Sequence, residues 1–241
     1  MMPMVSPEFA QISIMKCRTT WAAMLARDEL GNLEQKGNTH APASSLGRRI
    51  LDTRKLYAPF RNPWSWWVSW YCHVCNSVGQ RALSDTYGRG HASFRHVLRG
   101  ATQRIATDIP ESPPLLAKWG AGLADDFKAS GWGVYSWMSH RMLACGRPVT
   151  LLDCDSLTET LPAFLGIDKS AGAKHGPKNT GAERWKGRAV QSPEDPESWY
   201  DDEMIDWVWE ADRWAIDLMA FEGPFQPAHE PVKVVCIPAI S

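Results

Sequence analysis

"KLYAPFRNPWSWWVSWY", residues 55–71, reads as a strand that runs directly into a helix. RKLYAPF (54–60) is the strand, with its proline tolerated near the end. Asn62 and Pro63 make a strong helix start, an N-cap residue followed by a pyrrolidine ring at the first helical position. Beyond them Trp67, Trp70, Tyr71, Val74 and Val78 fall at helical spacing, which makes the tryptophans mostly a core stripe. Arg61 does not fit that stripe. A core strand has no packing use for an arginine at its tip, so its purpose lies outside the core.

The same order, strand then tight turn then helix, occurs earlier in the chain. EFAQISIM (8–15) alternates as a short strand, and TWAAMLARDELG (20–31) follows as a helix that ends on Gly31. Residues 37–52 read as a loop and then a helix begun near Pro42, and 91–99 and about 130–144 read as helices. PVTLLDCD (148–155) is a third strand, and Ser156 with Glu159 predicts a capping box for a helix over 156–165. From Asp168 to Ser198 the chain has no apolar periodicity, which predicts a long mobile loop or lid. Residues 198–223 then form the clearest helix pattern, with Ser198 as cap, acidic residues at 201–203 on the positive dipole end, and Gly223 as the stop. Strands alternating with helices, without internal repeats, predict one α/β domain over residues 1–241 with a parallel sheet flanked by helices.

Composition narrows the function. Lys plus Arg at 26 against Asp plus Glu at 27 gives a net charge of −1, so no global field recruits nucleic acid or an anionic membrane, and any anion site must be local. No run reaches the length of a membrane span, and the start, MMPMVSPEFAQ, lacks the basic and apolar regions of a signal peptide, so the expectation is a cytoplasmic protein. The six cysteines, Cys17, Cys72, Cys75, Cys145, Cys154 and Cys236, are expected to be reduced thiols in a chain too large to need stapling. CHVC (72–75) falls inside the helix after Pro63 and has no second cysteine pair, so it reads as core thiols rather than a metal site.

The turn in SIMKCRTTWAAML (13–25) is an anion cradle by position: a strand enters a helix through Lys-Cys-Arg-Thr-Thr, which offers backbone N–H groups, a dipole end, two hydroxyls and an ammonium. It is not the nucleotide-hydrolase motif, because Gly-x-x-x-x-Gly-Lys-Ser/Thr is absent and the lysine precedes the turn.

MKCRTTW resembles the Pro-Lys-Ser-Gly-Thr-Thr-Trp loop of sulfotransferases that use 3′-phosphoadenosine-5′-phosphosulfate, keeping Lys16, Thr19, Thr20 and Trp21. FRNPWSWWVSWY resembles the second signature of that family, with Arg61, then Ser69, then the aromatic Tyr71. The likeness covers residues 9 to about 78 and continues as a pattern in PVTLLDCDSL and the terminal helix, and the 45 positions from Lys16 to Arg61 resemble the compact bacterial, viral and carbohydrate branches. It implies a P-loop-like fold and sulfuryl transfer to a hydroxyl or amine of a small-molecule or carbohydrate acceptor, with no metal. Residues 16–21, including Cys17 and Arg18, would bind the 5′-phosphosulfate, Lys16 would also neutralise the leaving oxygen, and Arg61 with Ser69 would hold the 3′-phosphate. His40, on the loop between the two motifs, is the candidate general base, and Lys178, Arg184 and Arg188 are candidates to close over the donor.

Two positions depart from the family pattern: Met15 replaces its proline and Arg18 its glycine. A residue with a Cβ resists positive φ by about 1–2 kcal/mol, so the turn avoids that geometry, or the loop is degraded, or Arg18 adds a useful charge. Two rival readings are a nucleotide-dependent phosphotransferase and a non-catalytic binding protein on the same fold. The acceptor and the oligomeric state are not legible in the sequence.

Overall fold

The computed structural model describes residues 4–31, 33–35, 41–77, 93–102, 123–175 and 195–240. Its first elements are β1 (Met4–Val5), β2 (Phe9–Gln11), α1 (Thr19–Leu30), β3 (Glu34–Gln35), a 3-10 turn (Ala43–Leu46), α2 (Arg48–Thr53), β4 (Lys55–Phe60) and α3 (Pro63–Ser77). There follow α4 (Phe94–Thr102), α5 (Leu123–Ser130), α6 (Val134–Leu143), β5 (Pro148–Asp153), α7 (Leu157–Leu165) and α8 (Ser170–His175). A second 3-10 turn (Glu197–Trp199), α9 (Asp202–Ala211), α10 (Arg213–Met219) and β6 (Val232–Cys236) complete the described chain. It divides into two compact units: Met1–Asn62 with Met138–Lys178 and Leu218–Ser241, and Pro63–Trp137 with Asn179–Asp217. No helix among the described residues is long and apolar enough to cross a membrane.

The first unit carries the sheet, in the order β3-β1-β2-β4-β5-β6. The expected parallel arrangement holds for the three central strands, with Phe9 opposite Lys55 and Leu56 opposite Val149, and is corrected at the edges, where β1, β3 and β6 all pair antiparallel. The link from β1 to β2 is too short for a crossover, so the chain must double back. Ser6 fixes that turn by accepting the N–H groups of Glu8 and Phe9 at 3.2 and 2.9 Å. β4 is buried from Leu56 to Phe60, as a central strand covered on both faces should be. Pro59 lies beyond Tyr57, where pairing with β2 ends, so its missing N–H interrupts nothing on that side.

One core joins the sheet to α1, α7 and α8 through Phe9, Trp21, Leu25, Tyr57, Leu152, Leu161 and Ala171. α7 is not capped as expected. Ser156 has φ −100° and ψ 7° rather than the extended geometry of a side-chain cap, and its hydroxyl makes no cap bond. The expected loop after Asp168 holds the helix α8, started by the Asp168 carboxylate accepting the Ser170 N–H at 2.7 Å. Gly172 permits that helix to lie on α7, since a Cβ there would come within 1.9 Å of the Thr158 carbonyl oxygen. Residues 176–194 of the expected loop lie outside the described residues.

The second unit is helical and aromatic. Trp64, Trp66 and Trp67 of α3 are fully buried, and Trp66 stacks on Tyr135 with ring centroids 4.7 Å apart. The terminal helix expected over 198–223 is two helices, α9 and α10, divided at Asp212, and its cap is Asp201, which accepts the Met204 N–H at 3.0 Å. Asp212 is fully buried, where its carboxylate accepts from Trp67 Nε1 and from the Ser136 N–H, both at 2.8 Å. These ties turn a continuous helical sequence pattern into a break.

Candidate anion-binding site

The parallel strands β2, β4 and β5 deliver three chain segments to one edge of the sheet: residues 12–18, residues 61–62 and residues 154–156. The carboxyl ends of parallel strands are where open α/β sheets bind ligands. Ile12 extends the pairing by donating to the Tyr57 carbonyl at 2.8 Å, and the chain then turns sharply.

Lys16 has φ 63° and Arg18 has φ 52°, ψ 21°, both left-handed. The turn thus does not avoid positive φ at Arg18, the position where the resembled loop has glycine. The first intrahelical bond of α1 is Ala22 N–H to the Arg18 carbonyl at 3.0 Å, so the N–H groups of Thr19, Thr20 and Trp21 have no acceptor within the helix. No acidic residue occupies the first turn to neutralise the dipole end. Lys16 and Arg18 are half-buried, and Thr20 is exposed.

Thr19 is buried, and its carbonyl accepts from Gln11 Nε2 at 2.9 Å, while Gln11 Oε1 accepts from the Tyr57 hydroxyl at 3.3 Å. Burial pushes the Tyr57 hydroxyl well up, so it stays a donor. This relay ties the start of α1 to β2 and β4. Trp21 packs into the core, with its Nε1 lacking a hydrogen-bond partner among the described residues.

Cys154, just past β5, is the meeting point. Its N–H donates to the Phe60 carbonyl at 2.8 Å, and its carbonyl accepts from an Arg18 guanidinium nitrogen at 2.8 Å. Its thiol is hydrogen-bonded to that of Cys17, both side chains being fully buried. Burial raises the Cys154 thiol well above its ordinary value, the bond to Cys17 adds to this, and the charges of Arg61 and Arg18 oppose it. Two cations from separate sequence motifs therefore act on one residue.

Two buried polar side chains beside these residues hold a fourth segment. Asn62 Nδ2 donates to the carbonyls of Gly223 and Gln226 at 3.2 and 3.0 Å. Asp153 accepts the Ala228 N–H at 3.0 Å, and its own N–H donates to the Pro231 carbonyl at 2.8 Å. Burial raises the Asp153 carboxyl and Asp155 adds to the rise, while the N–H groups of Ala228 and Asp155 and the charge of Arg18 act against it.

Of the residues expected from sequence, the structure brings Cys17, Arg18 and Arg61 together around Cys154, with Lys16, Thr19 and Thr20 on the same turn. Ser69 belongs to the second unit, half-buried on α3. His40, Lys178, Arg184 and Arg188 lie outside the described residues. The sequence did not signal the side-chain roles of Asn62 and Asp153 or the segment from Gly223 to Pro231. The only available pointer was the strand and acidic turn of PVTLLDCDSL.

Compared with protein-family models, with curated proteins and with solved structures, the chain matches none.

Proposed function

We propose that the protein is a sulfotransferase of P-loop-like architecture that uses 3′-phosphoadenosine-5′-phosphosulfate as donor and a hydroxyl or amine of a small molecule or carbohydrate as acceptor. The observation that supports this reading is that the turn bearing Arg18 and the residue Arg61 follow the adjacent parallel strands β2 and β4 at the same end of the sheet, where Arg18 donates to the Cys154 carbonyl. In a chain of net charge −1, local cations at a helix start favour a compact polyanion over a bulk anionic surface.

Sulfuryl transfer needs in-line positioning and neutralisation of charge on the leaving oxygen, much as phosphoryl transfer does. The N–H groups at the start of α1 that lack an acceptor within the helix and the Thr20 hydroxyl receive the 5′-phosphate, and the Lys16 ammonium meets the leaving oxygen. Arg61 presents a planar fork to the 3′-phosphate. The sequence resemblance assigns the base to His40. Calorimetric titration with adenosine 3′,5′-bisphosphate and with ATP tests the reading: tighter binding of the bisphosphate is expected. Preference for ATP favours a phosphotransferase, and binding of neither overturns the donor site.

A further inference from the structure

The sheet ends differently on its two sides. β3, the outer strand on one side, has only Glu34 and Gln35, and a short polar edge of this kind resists further pairing. β6, on the other, has five residues and is apolar apart from Lys233. Which of its backbone groups face outward follows from its bonds to β5. The Asp153 N–H donates to the Pro231 carbonyl at 2.8 Å, in register with the pairing of Leu152 and Val232. In an antiparallel ladder alternate residues turn their N–H and C=O groups to the same neighbour. Lys233 and Val235 therefore bond to β5 as Pro231 does, and the Ile237 carbonyl, which accepts the Gly146 N–H at 2.9 Å, keeps the alternation. Val232, Val234 and Cys236 direct their N–H and C=O groups to the outer edge, where no strand lies among the described residues. Their side chains are exposed as well. Among the described residues the exposed large apolar side chains are Val232, Val234 and Ile240, which lies just beyond the strand.

We propose that this edge pairs with β6 of a second copy of the chain, antiparallel about a twofold axis at Val234, so that two sheets become one. In that register Val234 faces Val234 of the second copy, Val232 faces Cys236, and Lys233 faces Val235. Every outward N–H and C=O of the strand then finds a partner, about six hydrogen bonds in all. Charge and backbone chemistry select this register over its neighbours. An axis at Lys233 would set two ammonium groups directly opposite each other. An axis at Val235 would set Val232 opposite Pro238, which has no N–H to donate. The edge is thus complementary to itself, as a twofold interface requires. It is short beside a standard interface of about 1,600 Å², so the dimer dissociates on dilution. This association does not depend on the sulfotransferase reading.

Sedimentation velocity of the full chain under reducing conditions, from about 5 to about 200 µM, reads the association. A monomer–dimer equilibrium is expected, and Val234→Lys, which sets two charges face to face, is expected to weaken it about tenfold or more. The thermal midpoint of the monomer should not move, since Val234 is 65% exposed. Val232→Cys sets a thiol opposite Cys236 of the second copy, with Cα atoms about 5.5 Å apart, within disulfide reach. Diamide oxidises such a thiol pair to a disulfide and is itself reduced to the hydrazine. Peptide mapping is expected to find the link from position 232 to Cys236 about fivefold or more above any link from Cys236 to itself. Within one strand the two positions lie too far apart to bond, so the link reports the second copy. A wild-type chain that stays monomeric over the whole range overturns the proposal, and is the result expected where another segment of this chain or an unlike protein covers the edge. A Val234→Lys variant that dimerises like the wild type overturns it too, as does a Val232→Cys variant without the link from position 232 to Cys236.

Discussion

The Arg18 guanidinium donates to the Cys154 carbonyl oxygen at 2.8 Å, which fastens the left-handed turn before α1 to the end of β5. The bond accounts for an arginine at a position that favours glycine. The backbone cost of positive φ is about 1–2 kcal/mol, and a hydrogen bond from a charged donor contributes about 1.5–3 kcal/mol, so the tether offsets the strain.

Arg18 substitutions therefore separate the two effects. Arg18→Gly removes both strain and tether and is expected to change stability by less than about 1 kcal/mol. Arg18→Ala keeps the strain, loses the tether, and is expected to destabilise by about 1–3 kcal/mol. Urea denaturation of both variants checks this. Equal effects would show that the left-handed backbone at this position costs nothing, and a neutral Arg18→Ala would show that the tether carries no stability.

Arg61 lies just past β4, and its charge acts on Cys154. Arg61→Ala is expected to weaken adenosine 3′,5′-bisphosphate binding by about 2–4 kcal/mol, and Arg61→Lys to recover only part of it, because an ammonium lacks the planar fork. Calorimetry with unchanged affinity in Arg61→Ala would remove the 3′-phosphate assignment.

The sequence displays this junction because the signals are local: an apolar run, then Asn-Pro, then aromatics at helical spacing. The outer strands were not legible for physical reasons. β1 is too short to show a period, and β6 turns Val232 and Val234 outward, 44% and 65% exposed, so its alternation points the wrong way. Asn62 reads correctly as a helix start, but its amide also holds residues 161 and 164 positions away. Sequence spacing cannot reveal such a partner. Asp212 likewise lies within a continuous helical pattern, and what breaks the helix there is Trp67 and Ser136, both distant in the chain.

Gly172 has no role that composition exposes, yet a methyl group at that position would press on the backbone oxygen of Thr158. Backbone cannot step aside as a flexible side chain does. Gly172→Ala is therefore expected to separate α8 from α7 and to destabilise by about 1–3 kcal/mol, measured by thermal or urea unfolding. A neutral result would mean that the two helices slide without cost.

Asp212 makes stability depend on pH. Its carboxyl is raised from 3.8 to about 6 by burial, against the opposing bonds from Ser136 and Trp67. Tyr200, whose hydroxyl is pushed well up by burial and then by the Asp212 charge, stays neutral and offers no compensation. Below pH about 4 the group is protonated in both folded and unfolded chains and adds no pH dependence. Between about 4 and 6 the folded chain retains a proton that the unfolded chain has lost, so stability falls as pH rises through that window, and the loss is complete above it. The shift corresponds to about 2–3 kcal/mol. Asp212→Asn cannot titrate, although its amide nitrogen will oppose one of the two donors and lower stability at every pH. The informative quantity is the stability difference between wild type and Asp212→Asn, measured by urea unfolding from pH 4.5 to pH 7. That difference is expected to shift by up to about 2 kcal/mol against the wild type as pH rises, and a constant difference would show that Asp212 titrates alike in the folded and unfolded chains.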